Sequence, residues 1–215
     1  VDTGDFYNKM RAGAVAKTSA VNTEDFKAAF EELLREGKDI LYMGLSSGLS
    51  TTFNSARLAS LELKEAFPDR KIVLVDTLAA SAGEGLIVYL AAKKKAEGAT
   101  IEEVAAYIEG LKMNISIWFT VDDLVYLRRG GRVSATTAFV GNMLGIKPVM
   151  HVDNEGHLIN VAKARGRRAS IKALFDKITE TAKEPEKQTF FISHGDCLAD
   201  AESLADMIRE KFGDV

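Results

Sequence analysis

Cysteine, proline and long apolar runs are scarce in this chain. Its 215 residues include one cysteine, Cys197, and three prolines. One cysteine excludes an internal disulfide and any metal site built from several thiolates, so we expect no metal and a reducing, cytoplasmic setting. No apolar run approaches the ~18 residues that a membrane span requires, and the first residues do not resemble a secretion signal. We therefore predict no stable membrane insertion.

An excess of basic charge is also missing. The chain has 28 Lys and Arg against 31 Asp and Glu, a formal net charge of −3, and 47% of its residues are hydrophobic. A nucleic-acid-binding protein usually shows a basic excess or a recognisable module, so we predict no nucleic-acid partner. The length permits one large or two small hydrophobic cores.

Residues 39–56 read as strand, polar loop and helix. The apolar run Ile40–Leu45 has the length of a buried strand, stops in a Ser/Gly turn, and is followed by a helical pattern toward Pro68. Residues 71–76 and the helical pattern from Ser81 to Glu97 repeat this order. Two such units in succession predict parallel strands whose loops gather at the edge where α/β sheets bind ligands.

The pattern changes beyond Met113. Residues 115–121 alternate as in a sheet strand, and residues 146–162 predict a hairpin around the turn Asp153–Gly156. Further elements follow as a helix over 169–183, a strand over 189–193 and a helix over 198–212. The sequence thus predicts a parallel α/β domain over residues 1–113 and an α+β domain with a mainly antiparallel sheet over 114–215.

Hydroxyl side chains are concentrated in three predicted loops. They are Thr18 and Ser19; Ser46, Ser47, Ser50, Thr51 and Thr52; and Thr77 and Ser81. Hydroxyls beside a helix N-terminus bind an anion without a fixed positive charge, which suits a carboxylate better than a triphosphate. Helix capping and turn chemistry explain each loop equally well when it is taken alone.

Other functions stay open on the residues alone. A serine hydrolase with Ser47 or Ser50 as its nucleophile would need a base, and the chain offers His151, His157 and His194. The Gly-x-Ser-x-Gly elbow and the phosphate-binding Gly-x-x-x-x-Gly-Lys-Ser/Thr loop are absent, which also disfavours a small phosphate or nucleotide binder.

Two groups of cations are open to two interpretations. Residues 163–168 carry four cations, and Arg128, Arg129 and Arg132 surround a Gly-Gly pair. Each group is explained by a solvated face or by a contact with phosphate or an acidic protein partner.

Several blocks, taken together, resemble the DegV family of bacterial fatty-acid-binding proteins. They are Phe6-Tyr7, Met10-Arg11, Gly13-Ala14, Lys17-Thr18-Ser19, Ser46-Ser47-Gly48-Leu49-Ser50 with Thr52, Val75-Asp76-Thr77 with Ser81, Gly83 and Gly85, Phe119 to Leu124 with Leu127, Arg129-Gly130-Gly131-Arg132, Gly141, Lys147-Pro148, Lys163 with Arg165-Gly166-Arg167, and His194-Gly195-Asp196. These blocks run in the family's order, and as a set they are highly specific.

The resemblance implies a two-domain α/β fold that holds one long-chain fatty acid between its domains. It places the carboxylate on hydroxyls that correspond to Thr18 and Ser50, with Ser19 and Ser47 as neighbours. It also implies a protein without catalytic residues or a cofactor, which presents the fatty acid to a separate ATP-dependent kinase subunit for acyl-phosphate formation. Arg165 would then contact phosphate or the partner.

Two departures from the family's pattern stand out. The family's Ser-Gly-Leu-Ser-Gly-Thr is Ser47-Gly48-Leu49-Ser50-Thr51-Thr52 here, so Thr51 replaces a glycine beside the expected head-group site. The family's first strand and its final His-Thr-Gly-Pro-Gly segment are not in this sequence, and residue 1 is Val rather than Met. We therefore expect a chain truncated at both ends.

Overall fold

The structure is a computed structural model that describes residues 2–134, 145–213 and 215. Its helices and strands, in chain order, are α1 (Thr3–Arg11), α2 (Thr23–Arg35), β1 (Ile40–Gly44), α3 (Thr52–Ala66), β2 (Ile72–Asp76), α4 (Ser81–Ala96), α5 (Ile101–Leu111), a 3-10 turn (Lys112–Asn114), β3 (Trp118–Thr120), α6 (Val125–Arg129), β4 (Ile146–Val152), β5 (Leu158–Arg165), α7 (Arg167–Thr181), a 3-10 turn (Pro185–Lys187) and α8 (Leu198–Phe212). Gly141, one of the residues that carry the family resemblance, lies outside the described residues.

Contacts divide the chain into two compact units. The parallel unit comprises Ala20–Ile117 and Val152–His157. The antiparallel unit comprises the described residues of Val1–Ser19, Trp118–His151 and Leu158–Val215. The division predicted from the sequence, residues 1–113 and 114–215, differs from these units at residues 1–19, at 114–117 and at the turn 152–157.

The parallel unit is a sheet with helices on both faces. Strands β1 and β2 pair in parallel, with Ile40 opposite Ile72 and Gly44 opposite Asp76. Because side chains alternate along a strand, each strand contributes to two cores. One core lies against α2 and α3 and the other against α4 and α5. The predicted parallel α/β arrangement is therefore confirmed.

Glycine at the end of β1 brings the start of α3 close to the sheet. A Cβ on Gly44 would lie 2.8 Å from both Phe53 Cδ2 and Tyr42 Cε1. Without that Cβ, the Phe53 ring stacks on the Tyr42 ring with centroids 6.2 Å apart. The packing holds the first turn of α3 beside the loop that follows β1.

The antiparallel unit is built on a sheet of order β3-β4-β5. Trp118 pairs with His151, and Thr120 pairs with Val149, in antiparallel register. Helices α7 and α8 cover one side through a core that includes Val149, and Met150 packs on the other side with the α6 region. This arrangement confirms the predicted α+β character of the second half.

Helix α1 packs within the antiparallel unit. Arg11 Nη1 donates to Asp196 Oδ2 at 2.7 Å, and its Nη2 donates to the Asp196 carbonyl at 3.2 Å. A Cβ on Gly195 would lie 3.2 Å from the Tyr7 hydroxyl, so the loop passes close to the ring. These contacts explain why residues 1–19 group with the later part of the chain.

The predicted strand over residues 189–193 is wrong. That segment has no strand conformation. Its apolar pattern arises because Phe190 stacks on Phe212, with ring centroids 6.2 Å apart, while Phe191 and Ile192 stay exposed. Among residues 2–134, 145–213 and 215, no helix combines the length and the apolar character needed to cross a bilayer.

Candidate functional site

The loop after β1 is organised around Ser46, whose side chain is fully buried. The Ser46 Oγ donates to the Gly156 carbonyl at 2.9 Å and accepts the Gly48 N–H at 3.1 Å. The Ser46 carbonyl accepts the N–H groups of Leu49 at 3.0 Å and Ser50 at 3.2 Å. One residue therefore fixes the backbone of the loop as far as Ser50.

Ser50 lies where this loop enters α3 and is partly buried. Its Oγ accepts the Thr52 N–H at 3.2 Å, so it takes one of the helix-terminal donors that lack a partner within a helix. The Oγ also lies 2.8 Å from Thr52 Oγ1, which accepts the Val21 N–H at 3.3 Å. When Thr52 donates its proton to Ser50, both lone pairs of Ser50 are occupied, and its own O–H is available to an external acceptor.

Thr51 does not need the glycine that the family pattern has at its position. Its φ of −74° and ψ of −4° lie in the right-handed region that any residue adopts. Thr51 directly precedes α3, and its side chain is exposed. The replacement of glycine by threonine therefore introduces no backbone strain beside Ser50.

Ser47 is the exposed member of the loop. Its N–H donates to Asp76 Oδ1 at 3.2 Å, and the same oxygen accepts the Leu78 N–H at 3.2 Å. Asp76 thus joins the ends of β1 and β2, and the Ser47 N–H is already hydrogen-bonded to it. What Ser47 can offer a ligand is its hydroxyl.

The loop after β2 uses its hydroxyl differently. Thr77 is 1% exposed, and its Oγ1 donates to the Gly44 carbonyl at 2.7 Å and accepts the Ala79 N–H at 3.2 Å. Leu78 and Ser81 have positive φ values of 50° and 53°, a region in which residues with a Cβ are uncommon. The Thr77 hydroxyl holds this tight turn and is turned away from solvent.

Negative charge lies near the same sheet edge. Burial raises the pKa of the Glu84 carboxyl, which belongs to the first turn of α4. Burial also raises the pKa of the Tyr42 hydroxyl, with smaller contributions from the charges of Glu84 and Asp76. One cation also lies at the end of β2, since Lys112 Nζ donates to the Asp76 carbonyl at 3.0 Å.

The other predicted hydroxyls belong to the antiparallel unit. Thr18 and Ser19 lie in an exposed segment between α1 and α2 that has no regular structure. The structure therefore brings Ser47 and Ser50 together in one loop and places Thr18 and Ser19 in another unit. A carboxylate site that combines both pairs stays a prediction.

Arg165 ends β5 and is exposed. Its neighbour Arg167 is held by Asp122, whose Oδ1 also accepts Lys147 Nζ at 2.8 Å. The Lys147 hydrogen bond, together with the Arg167 charge, lowers the pKa of the Asp122 carboxyl. Asp122 balances these two cations, and the positive charge of Arg165 faces solvent.

The hydrolase alternative requires a histidine base beside Ser47 or Ser50. His157 is the histidine of the parallel unit, and neither Ser47 nor Ser50 hydrogen-bonds to it. Its Nδ1 lies 3.8 Å from Asp153 Oδ1 and 3.7 Å from Glu155 Oε2. Within the part of the chain that the structure describes, no group of three His, Cys, Asp or Glu residues forms a metal site.

Sequence reasoning missed the partner of the hydroxyl loop. The turn 152–157 was predicted only as the hairpin connection, yet Gly156 accepts the Ser46 hydroxyl 110 residues away. The one available signal is the glycine at each facing position, Gly48 and Gly156. Thr52 was among the predicted hydroxyls, but its contact with Ser50 follows from the helix start rather than from composition.

Comparisons with known proteins agree with this architecture. The DegV family model matches residues 1–215. A DegV domain-containing protein of Clostridium perfringens is 48% identical over 207 residues, which cover 96% of this chain and 71% of that protein. A fatty acid-binding protein of Thermotoga maritima is 38% identical over 212 residues, covering 97% of this chain and 72% of that protein.

A solved structure extends the agreement to three dimensions. The Streptococcus pneumoniae Fatty Acid Kinase B3 protein, loaded with linoleic acid, superimposes with a TM-score of 0.82 at 26% identity. The match covers 99% of this chain and 74% of that one. Motif order, sheet arrangement and sequence identity lead to one conclusion: this chain belongs to the DegV family.

Proposed function

We propose that this chain binds a long-chain fatty acid and that the Ser50 hydroxyl donates a hydrogen bond to its carboxylate. The observation that carries the proposal is the hydrogen bonding of Ser50. The Ser50 oxygen accepts the Thr52 N–H and lies 2.8 Å from Thr52 Oγ1. In the arrangement that we propose, Thr52 is the donor of this second contact, and the Ser50 proton is left for a ligand acceptor. Thr18, Ser19 and Ser47 are the further hydroxyls of the proposed head-group site.

The nature of the relatives supports a lipid ligand. The Thermotoga maritima relative is a fatty acid-binding protein, and the Streptococcus pneumoniae structure holds linoleic acid. In energetic terms the acyl chain dominates, because about 14 buried methylenes at ~0.8 kcal/mol each give roughly 11 kcal/mol before association costs. A neutral hydrogen bond adds only ~0.5–1.5 kcal/mol, so the hydroxyls mainly orient the head.

A titration with palmitate tests the role of Ser50. We expect Ser50→Ala to raise the Kd about fivefold without abolishing binding, because one hydroxyl hydrogen bond is lost and the tail contacts remain. Ser55→Ala is the matched control, since Ser55 is a half-buried serine of α3 whose hydroxyl donates to the Thr51 carbonyl. Equal affinity of Ser50→Ala and wild type would remove Ser50 from the site.

We further propose that the bound fatty acid is presented to a separate ATP-dependent kinase subunit. A carboxylate oxygen attacks the γ-phosphorus of ATP, the bond to the β,γ-bridging oxygen breaks, and ADP and an acyl phosphate result. The support is the match to the Fatty Acid Kinase B3 protein and the exposed charge of Arg165. A guanidinium suits contact with a phosphate or an acidic partner surface.

Acyl-phosphate formation with a fatty-acid kinase subunit and ATP, measured by hydroxylamine trapping, tests this role. We expect Arg165→Ala to lower the rate about tenfold while palmitate affinity stays unchanged, because Arg165 acts outside the tail site. Arg209→Ala is the control, an exposed arginine on α8 that pairs with Asp206. Equal rates for both variants would exclude Arg165 from the transfer step or the kinase contact.

A further inference from the structure

Ser46 directly precedes the proposed ligand contact Ser47, but its own side chain is buried and does not face a ligand. Its side chain is 0% exposed. We propose that Ser46 is a positioning residue that holds the Ser47–Ser50 loop in its binding conformation by tying it to Gly156. The inference rests on the proposed fatty-acid function. Ser46 would affect fatty-acid binding by holding Ser50 in position.

The hydrogen bonds of Ser46 connect this loop to two other segments, the turn at Gly156 and the chain after β2. Its side chain links the Gly156 carbonyl at 2.9 Å to the Gly48 N–H at 3.1 Å. Its backbone N–H donates to the Ala79 carbonyl at 2.9 Å, which ties the loop to the chain after β2. The Ser46 carbonyl also accepts the N–H groups of Leu49 and Ser50. Together these hydrogen bonds leave the loop little freedom to rearrange.

The turn at residues 153–157, which contacts the loop, is held by its own hydrogen bonds. Asp153 Oδ1 accepts the N–H groups of Glu155 and His157, each at 2.9 Å, and the Gly156 N–H donates to the Asp153 carbonyl at 3.0 Å. Gly156 has a φ of +77°, which favours glycine. The turn is therefore fixed by its own hydrogen bonds and presents the Gly156 carbonyl to Ser46.

The approach of the two segments depends on the absence of two side chains. A Cβ on Gly156 would lie 2.0 Å from Ser46 Oγ. A Cβ on Gly48 would lie 2.8 Å from the Glu155 carbonyl oxygen and 3.1 Å from the Gly156 carbonyl oxygen. The contact is thus a close backbone approach that any larger residue at either position would separate.

A loop that is fixed before the ligand arrives costs less to order on binding. Hydroxyls held by a supporting hydrogen-bond network meet the ligand in the productive geometry, whereas a free loop must lose conformational freedom first. If Ser46 acts in this way, its removal weakens the ligand contact that Ser50 makes. The two residues are then coupled in ligand binding.

A double-mutant cycle on palmitate affinity tests that coupling. We expect Ser46→Ala to raise the Kd about tenfold and Ser50→Ala about fivefold, and the double variant to stay near tenfold because Ser50 is already misplaced. Independent residues would give about fiftyfold in the double variant. That additive result would overturn the positioning role while leaving the proposed function intact.

The matched control is Ser60→Ala. Ser60 is a buried serine of the same unit, 2% exposed, and its Oγ donates to a backbone carbonyl, that of Arg57, at 2.8 Å. We expect the Ser60→Ala variant to be less stable than wild type and to bind palmitate with unchanged affinity. A wild-type protein that binds no palmitate would refute the proposed function itself, a failure distinct from additivity in the cycle.

Amide hydrogen exchange on the lipid-free wild-type protein decides the question even if Ser46→Ala does not fold. The Gly48, Leu49 and Ser50 amides donate to Ser46, so we expect them to exchange at least about 100-fold more slowly than in an unstructured peptide. Exchange at the unstructured rate would mean that the loop is not held before binding, and the proposal would fall.

Discussion

The loops that follow β1 and β2 are both rich in hydroxyls and lie at the same sheet edge, yet Ser50 of the first loop and Thr77 of the second use their hydroxyls in opposite ways. Thr77 is 1% exposed and has both a donor and an acceptor partner in the backbone. Ser50 is partly buried, and its oxygen accepts from Thr52. The fold therefore consumes the Thr77 hydroxyl, whereas the Ser50 hydroxyl is the one that we propose as a donor to the ligand.

The comparison shows that hydroxyl count does not distinguish a binding loop from a turn. The two loops are equally good candidates by composition, because Ser and Thr serve caps, turns and anion sites alike. What separates them is whether the hydroxyl proton already has a buried acceptor. By that criterion Ser46 and Thr77 serve the fold, and Ser50 is the hydroxyl that we propose for ligand binding.

The largest effect is expected from Thr77→Val. The variant leaves the Ala79 N–H without a partner in the interior and removes one of the two donors of the Gly44 carbonyl, which keeps the Thr77 N–H. We expect this to cost about 2 kcal/mol of unfolding free energy. Urea unfolding measures the loss, and palmitate affinity of the folded fraction should not change. A stable variant with weakened palmitate binding would reverse the roles assigned to the two loops.

A smaller effect is expected from Thr52→Val, which sharpens the account of Ser50. Removing the Thr52 hydroxyl takes one hydrogen-bond partner from Ser50 and lets the orientation of Ser50 vary, so the palmitate Kd should rise about threefold. Thr51→Ala is the control, because Thr51 is exposed and makes no capping hydrogen bond. If both variants bound palmitate like wild type, Thr52 would have no part in orienting Ser50.

The smallest effect concerns Glu84, which follows the loop after β2. Its pKa is raised in the folded protein by burial, so folding favours the protonated form, and this contribution to stability is lost as pH rises through that raised pKa. Glu84→Gln should therefore raise Tm at pH 7 and give no gain at pH 4. A gain of equal size at both pH values would show that the carboxyl charge is not the cause.

Much of the fold could be predicted from local pattern. The apolar runs 40–45 and 71–76 give β1 and β2. The helical pattern from Ser81 to Glu97 gives α4 (Ser81–Ala96), and the predicted helix over 198–212 gives α8 (Leu198–Phe212). These predictions succeed because the signals that carry them lie close together in the sequence.

The site was less predictable because its decisive contacts are distant in sequence. The hydroxyl loop could be located, but nothing local indicates that Ser46 reaches Gly156 or that Thr52 accepts the Val21 amide. The failed strand at 189–193 has the same origin, since Phe190 finds its partner in Phe212. The predicted roles of Thr18, Ser19 and Arg165 stay predictions, as do the cytoplasmic setting and the absence of metal and cofactor.

Denaturing extraction of lipid from the purified protein, followed by mass spectrometry, tests the central claim most directly. We predict a near-stoichiometric C14–C18 fatty acid in the wild type and a reduced amount in Ser50→Ala, with Thr77→Val retaining the full amount per folded molecule. A folded wild-type protein that contains no fatty acid and takes up none when palmitate is added would contradict the account.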